Sequence, residues 1–238
     1  MMKKLLLLAF LAVGMTANAE TIVTNDDEEQ IENKGGIDLG KGKDEDDRWS
    51  MHLALGVNIP TGAPDGVEFA PFRSWEFNWT IAQYDYTPGK SNTTLSAGLG
   101  FNWRFYTLSG HKNGFVKAND FVSVHEIGTQ LDDFSSSIHT TALTMPLLVK
   151  QKFSKSFAVS LGAQLNWNFY ACTNNYYEQG DRETDEYVKK IGQRPITVDV
   201  LGMLHFGDFA VYCKYSPMSV LKKDRGVDFK SLAVGIYF

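Results

Sequence analysis

The chain has almost no cysteine, no apolar run of helical-span length and, outside one short segment, almost no net charge. Cys172 and Cys213 are its only cysteines. A strand reading puts them on non-neighbouring strands with side chains on opposite faces, so a structural disulfide is not expected even if the compartment would permit one. The longest apolar run, Leu5–Ala12, is far below the ~20 residues a helix needs to cross a bilayer. If the chain spans a membrane it must do so as a closed barrel, because only helices and closed barrels satisfy every backbone group in lipid. Motifs of chemistry are missing too. There is no G-x-S-x-G, no H-E-x-x-H, no EF-hand pattern in the acid runs and no usual zinc spacing among the five histidines. Nor is there a basic patch, so nucleic-acid binding is not indicated.

What is present begins with Lys3 and Lys4, the run Leu5–Ala12 and the small residues Ala17-Asn18-Ala19. A positive start, a short apolar stretch and an A-x-A site read as an export signal, residues 1–19. Residues 20–48 then carry eleven acids against Lys34, Lys41, Lys43 and Arg48. With few apolar residues to bury, this segment is expected to be a disordered acidic periplasmic tail rather than a calcium loop. From Trp49 onward positive and negative charges nearly cancel.

Residues 49–238 alternate with period two. Bulky residues such as Leu53, Leu55, Val57 and Ile59, or Leu161, Leu165, Trp167 and Phe169, line one face. The opposite face holds Gly, Ser, Asn and Thr instead of Lys and Glu. Such segments are strands with one greasy side. Eight can be read, near 49–59, 75–82, 95–105, 143–150, 157–169, 196–206, 209–215 and 229–238. Short connections at 87–92, 154–156 and 207–208 alternate with longer ones at 60–74, 106–137, 171–194 and 216–228. That is the rhythm of a bacterial outer-membrane barrel, with turns on the periplasmic side and loops outside. The expected fold is therefore all-β, an eight-stranded antiparallel up-and-down transmembrane β-barrel with a disordered N-terminal tail. A soluble lipocalin-like barrel is the competitor, but it calls for apolar residues inside and charges outside. Trp49, Trp75, Phe157 and Phe238 sit at segment ends, where aromatic rings bridge lipid and water.

Glu76, Arg104, Lys150, Asp199 and Lys214, with His52 and His205, fall on the inward face. Buried charges must pair or cost several kcal/mol each, so a salt-bridge network is expected, a proton or ion relay being the alternative. His111, His125 and His139, with Asp132, Asp133 and Ser135–Ser137, are the only candidates for a loop-based hydrolase. Serine-rich and aspartate-rich stretches are also ordinary loop chemistry, and no catalytic, cofactor or metal residue is assigned from the sequence.

Thr144-Met145-Pro146-Leu147-Leu148-Val149-Lys150, Tyr215-Ser216-Pro217-Met218-Ser219-Val220-Leu221 and the ending Val234-Gly235-Ile236-Tyr237-Phe238 resemble the outer-membrane β-barrel domain family of Bacteroidetes, often labelled PorT-like. The resemblance covers about residues 49–238. It implies the barrel and outer-membrane lipid as its surroundings, but hardly any activity, since a fold does not settle function. The family places an acidic residue just before the Pro-Leu-Leu run, where this chain has Thr144. The expected role is that of a non-catalytic scaffold whose extracellular loops, 106–137 and 171–194 above all, meet a protein partner. An accessory subunit of a secretion or surface-display system is the alternative.

Overall fold

The computed structural model describes residues 37–41, 48–89, 91–127, 133–179 and 182–238. The export signal expected at 1–19, most of the acidic segment 20–48 and Asp132 lie outside them. In chain order the strands are Ile37–Lys41 (β1), Arg48–Thr61 (β2), Trp75–Tyr86 (β3), Thr93–Thr107 (β4), Asn113–Ala118 (β5), Phe121–Glu126 (β6), Asp133–Lys152 (β7), Phe157–Gln179 (β8), Arg182–Lys189 (β9), Ile196–Phe206 (β10), Phe209–Ser216 (β11) and Lys230–Tyr237 (β12). Eight of them, β2, β3, β4, β7, β8, β10, β11 and β12, pair antiparallel in sequence order, and β12 closes the ring on β2. The final residue completes the seam. Phe238 and Leu53 exchange backbone hydrogen bonds of 2.8 and 3.0 Å.

The alternation of the sequence is the alternation of the wall. Leu55, Leu99, Leu147 and Leu161 are 52, 50, 51 and 63% exposed on the outside, while Asn58, Asn102, Thr144 and Asn166 are buried within. Water-soluble barrels have the reverse polarity, because leaving apolar area in water costs about 25 cal/mol per Å². Two aromatic bands edge the apolar belt. At the short-turn end Trp49 packs on Tyr84, and Phe153, Phe157, Phe206 and Phe209 follow one another ring to ring. Towards the long-loop end Trp75 stacks on Phe105 at 4.0 Å and Phe77 on Trp103 at 5.6 Å.

Three features depart from the pattern expected of the sequence. In β3 the register shifts between Thr80 and Ala82 against β4, making Ile81 an extra residue, and between Thr80 and Gln83 against β2. Such a β-bulge resets the pleat; it leaves Ala82 half-buried and turns Gln83 inward. In β8 the shift between the partners of Thr141 and Ala142 sets Cys172 opposite His139, on the outer face of the wall rather than the inner one. Cys172 is buried there, Cys213 is exposed two strands away, and both are free thiols. The third departure is β1, which falls within the segment expected to be disordered. Ile37–Lys41 pairs with Arg48–Met51, beyond the point where β12 ends, and so occupies a stretch of β2 edge whose backbone groups need partners.

The long connections are not plain loops. β7 and β8 continue past the ring, with β9 pairing back along Cys172–Gln179, and 106–137 contains the β5–β6 hairpin. At ~3.3 Å per residue the ten residues from Tyr170 to Gln179 add roughly 30 Å of strand beyond the belt.

Candidate functional site: the filled lumen and the long-loop cap

Inside the ring, β3, β4, β10 and β11 each turn one ionisable side chain to a common level. Arg104 donates to an Asp199 carboxylate oxygen, and its Nε lies 3.5 Å from Glu76 Oε2. Lys214 Nζ lies 2.9 Å from Glu76 Oε1, off the hydrogen-bond direction. Two carboxylates face two cations, so the layer is neutral. Its remaining lone pairs are largely met by neutral donors: Tyr212 to Glu76 at 2.8 Å, Ser216 to Asp199 at 2.5 Å and Asn166 to Asp199 at 2.9 Å. Asn102 accepts from Arg104 Nε at 2.5 Å. Gly56 makes room for this arrangement, since a Cβ there would stand 2.2 Å from the Tyr212 hydroxyl oxygen. Charges taken out of water are tolerable only when paired and hydrogen-bonded in this way.

Lys150 does not join this layer. It lines a separate cavity of about 70 Å³ at the short-turn end, with His52, Asp85, Ser160 and His205. There the two histidines are held apart by different partners. His52 bonds Ser50 at 2.8 Å and the Phe238 carbonyl at 3.1 Å and stacks on Tyr237, whereas His205 bonds Ser160 at 2.7 Å. Thr144, which stands where the family the chain resembles has an acid, is buried opposite Asn166, which donates to Asp199. The inward carboxylates of the layer are Glu76 and Asp199 alone.

Above the layer, the long connections pack on one another. Tyr106, Leu108, Phe115, Val122, Ile138, Ala171, Ile191, Leu221, Val227 and Phe229 form an apolar cluster, flanked by Ala63, Val67 and Phe69. Backbone bonds tie the segments together: Ser109 N–H to the Glu68 carbonyl at 2.8 Å, Val122 N–H to Arg225 at 2.9 Å and Lys222 N–H to Gly192 at 2.9 Å. All four long connections thus contribute to one cap over the barrel mouth. Between cap and charge layer lies a space of about 10 Å³, beside Arg104 and Ser216, room for about one water. The sequence showed loop residues here but not their shared core. One signal was available: Asn119-Asp120 stands between two alternating stretches, and both residues adopt positive φ, 49° and 63°, as a two-residue hairpin turn requires.

The hydrolase candidates are dispersed between the cap, with His111 and His125, and the outer face of the wall, with His139 against Phe105. His111 pairs with Asp133 at 3.0 Å, His125 with Ser123 at 2.8 Å and His139 with Ser137 at 2.7 Å. Each histidine thus has one partner from the two types a Ser-His-Asp relay needs, and the structure brings no two of the three pairs together. Near the hairpin tip, the hydrogen bond from Lys117, with the Lys117 and Arg225 charges beside it, lowers the Asp120 carboxyl below its ordinary value. Farther out, bonding to Glu178 pushes the Tyr176 hydroxyl up to about 12.

No family model matches the chain, and no curated protein does. Among solved structures it is similar to the crystal structure of Ail, the attachment invasion locus protein of Yersinia pestis, at 13% identity over 80% of this chain and 97% of that one, with a TM-score of 0.34.

Proposed function

We propose that the chain is a bacterial outer-membrane β-barrel that conducts nothing through its filled lumen, catalyses nothing, and serves as a rigid scaffold presenting its long-loop end to a protein partner outside the cell. The observation that carries this is the polarity of the wall: an apolar, aromatic-edged exterior around a neutral, internally paired polar interior. Eight strands leave a lumen only wide enough for side chains, and here those side chains form a charge layer beneath an apolar cap. What varies freely on such a scaffold is the part outside the belt. The finer reading, a PorT-like barrel of Bacteroidetes with an accessory role in secretion or surface display, is supported by the residue runs at 144–150, 215–221 and 234–238.

Crosslinking and pull-down of the full chain from native outer membranes tests the scaffold role. A partner captured through residues of the cap or of β8–β9, and lost when those residues are changed in a barrel that still inserts, is the expected result. Recovery of the same partner through the short-turn end would contradict it, as would a hydrolytic turnover abolished by His125→Ala or His139→Ala.

A further inference from the structure

β9 has one strand partner, β8, and no other among the described residues; every side chain along it is exposed except that of Val188, which is half-buried. It runs eight residues without a register shift, a glycine or a proline. A regular, unpaired edge presents a row of N–H and C=O groups that can template another strand. The charges along it decide which strand. In a centred antiparallel pairing with a second copy, Arg182 would oppose Lys189 and Asp185 would oppose Glu186, each twice, and like charges directly opposite are unfavourable. Glu183 continues a row of carboxylates with Glu178 and Asp133 across β9, β8 and β7, and Asp185 follows two residues on, then the half-exposed ring of Tyr187.

We propose that the free edge of β9 is a strand-addition site for an extended segment of a partner protein reading apolar-x-basic-x-basic in the antiparallel direction, its basic residues opposite Asp185 and Glu183 and its apolar residue against Tyr187. This rests on the scaffold reading above and names the chemistry of its partner.

The test uses the full-length barrel in non-ionic detergent and a fluorescent peptide Thr-Tyr-Thr-Lys-Thr-Lys-Thr, read by anisotropy. Saturable binding is expected. It should weaken by about tenfold when Glu183→Lys and Asp185→Lys are combined, and by a similar factor for a peptide of the same charge N-methylated at alternate residues on the side that meets β9. Thr184→Pro and Asp185→Pro bracket the two edge orientations, and the variant that keeps its strand content should lose binding. Absence of binding to the parent barrel would overturn the proposal. So would equal binding of the N-methylated peptide, which would leave charge alone, or a concentration-dependent dimer abolished by the same proline. None of these results touches the membrane orientation, which is tested separately by surface labelling.

Discussion

At the residue scale, the lumen and the wall make opposite demands on the same chemistry. Asp199→Asn leaves Arg104 buried with less compensating charge, and removing one member of such a buried pair costs about 3–5 kcal/mol. The full cost should show as a lowered unfolding midpoint in detergent or lipid. Changing Gly56 to Val should displace Tyr212 from Glu76 and destabilise the barrel without altering a single charge. On the outside, Leu161→Arg places a charge against hydrocarbon at about 2–4 kcal/mol, while Thr144→Ser at the inner face keeps the hydroxyl and should cost less than about 1.5 kcal/mol, the loss of one buried methyl group. Equal losses for the last two substitutions would mean that inside and outside are interchanged. These positions were legible in the sequence because period two assigns a face wherever a strand is unbroken. Glu76, Arg104, Asp199 and Lys214 were placed correctly for that reason, and their grouping apart from Lys150 was not, since alternation gives a face and not a height along the barrel axis. Cys172 was misassigned because a single bulge at Phe169–Tyr170 reverses every later residue of that strand.

At the element scale, the β5–β6 hairpin is held to the rest of the cap by its buried residues and by few backbone bonds. Phe115→Ala should cost about 3–5 kcal/mol of cap stability, visible as faster amide exchange at Val122, whose N–H donates to the Arg225 carbonyl, and at Val227, whose N–H donates back to the Val122 carbonyl. The tip adds a pH-dependent contribution. The Asp120 carboxyl is held below its ordinary value, so its contacts with Lys117 and Arg225 are in place above the ordinary aspartate pKa and are lost as pH falls through the lowered one. Exchange at Val122 should therefore quicken, beyond its intrinsic pH dependence, only at strongly acid pH, and Asp120→Asn should remove that pH response. Deletion of 110–134 removes Phe115 and Val122 together and exposes the remaining cluster, so it is not the neutral shortening that a plain loop would allow. Strands β10 and β11 were readable almost to the residue because a two-residue turn joins them. The extensions of β7 and β8 were not, since beyond the belt they no longer face lipid on one side and the greasy alternation that marks a strand gives way to Ser, Asn and Tyr.

At the scale of the whole molecule, the account requires the two ends to lie on opposite sides of a membrane. In a Cys213→Ala background, cysteines at Ala118 and Thr184 should react with a membrane-impermeant thiol reagent on intact cells, and one at Ser91 should react only after the outer membrane is permeabilised. The lumen is the more demanding matter, because a ring of eight strands could still leak if neither the charge layer nor the cap were continuous. The most direct measurement is therefore conductance of the purified full-length barrel in a planar bilayer. With Glu76, Arg104, Asp199 and Lys214 filling the lumen and the apolar cap closing its mouth, no large, steady conductance is expected; a stable pore of large conductance in the unaltered protein would show an open lumen instead.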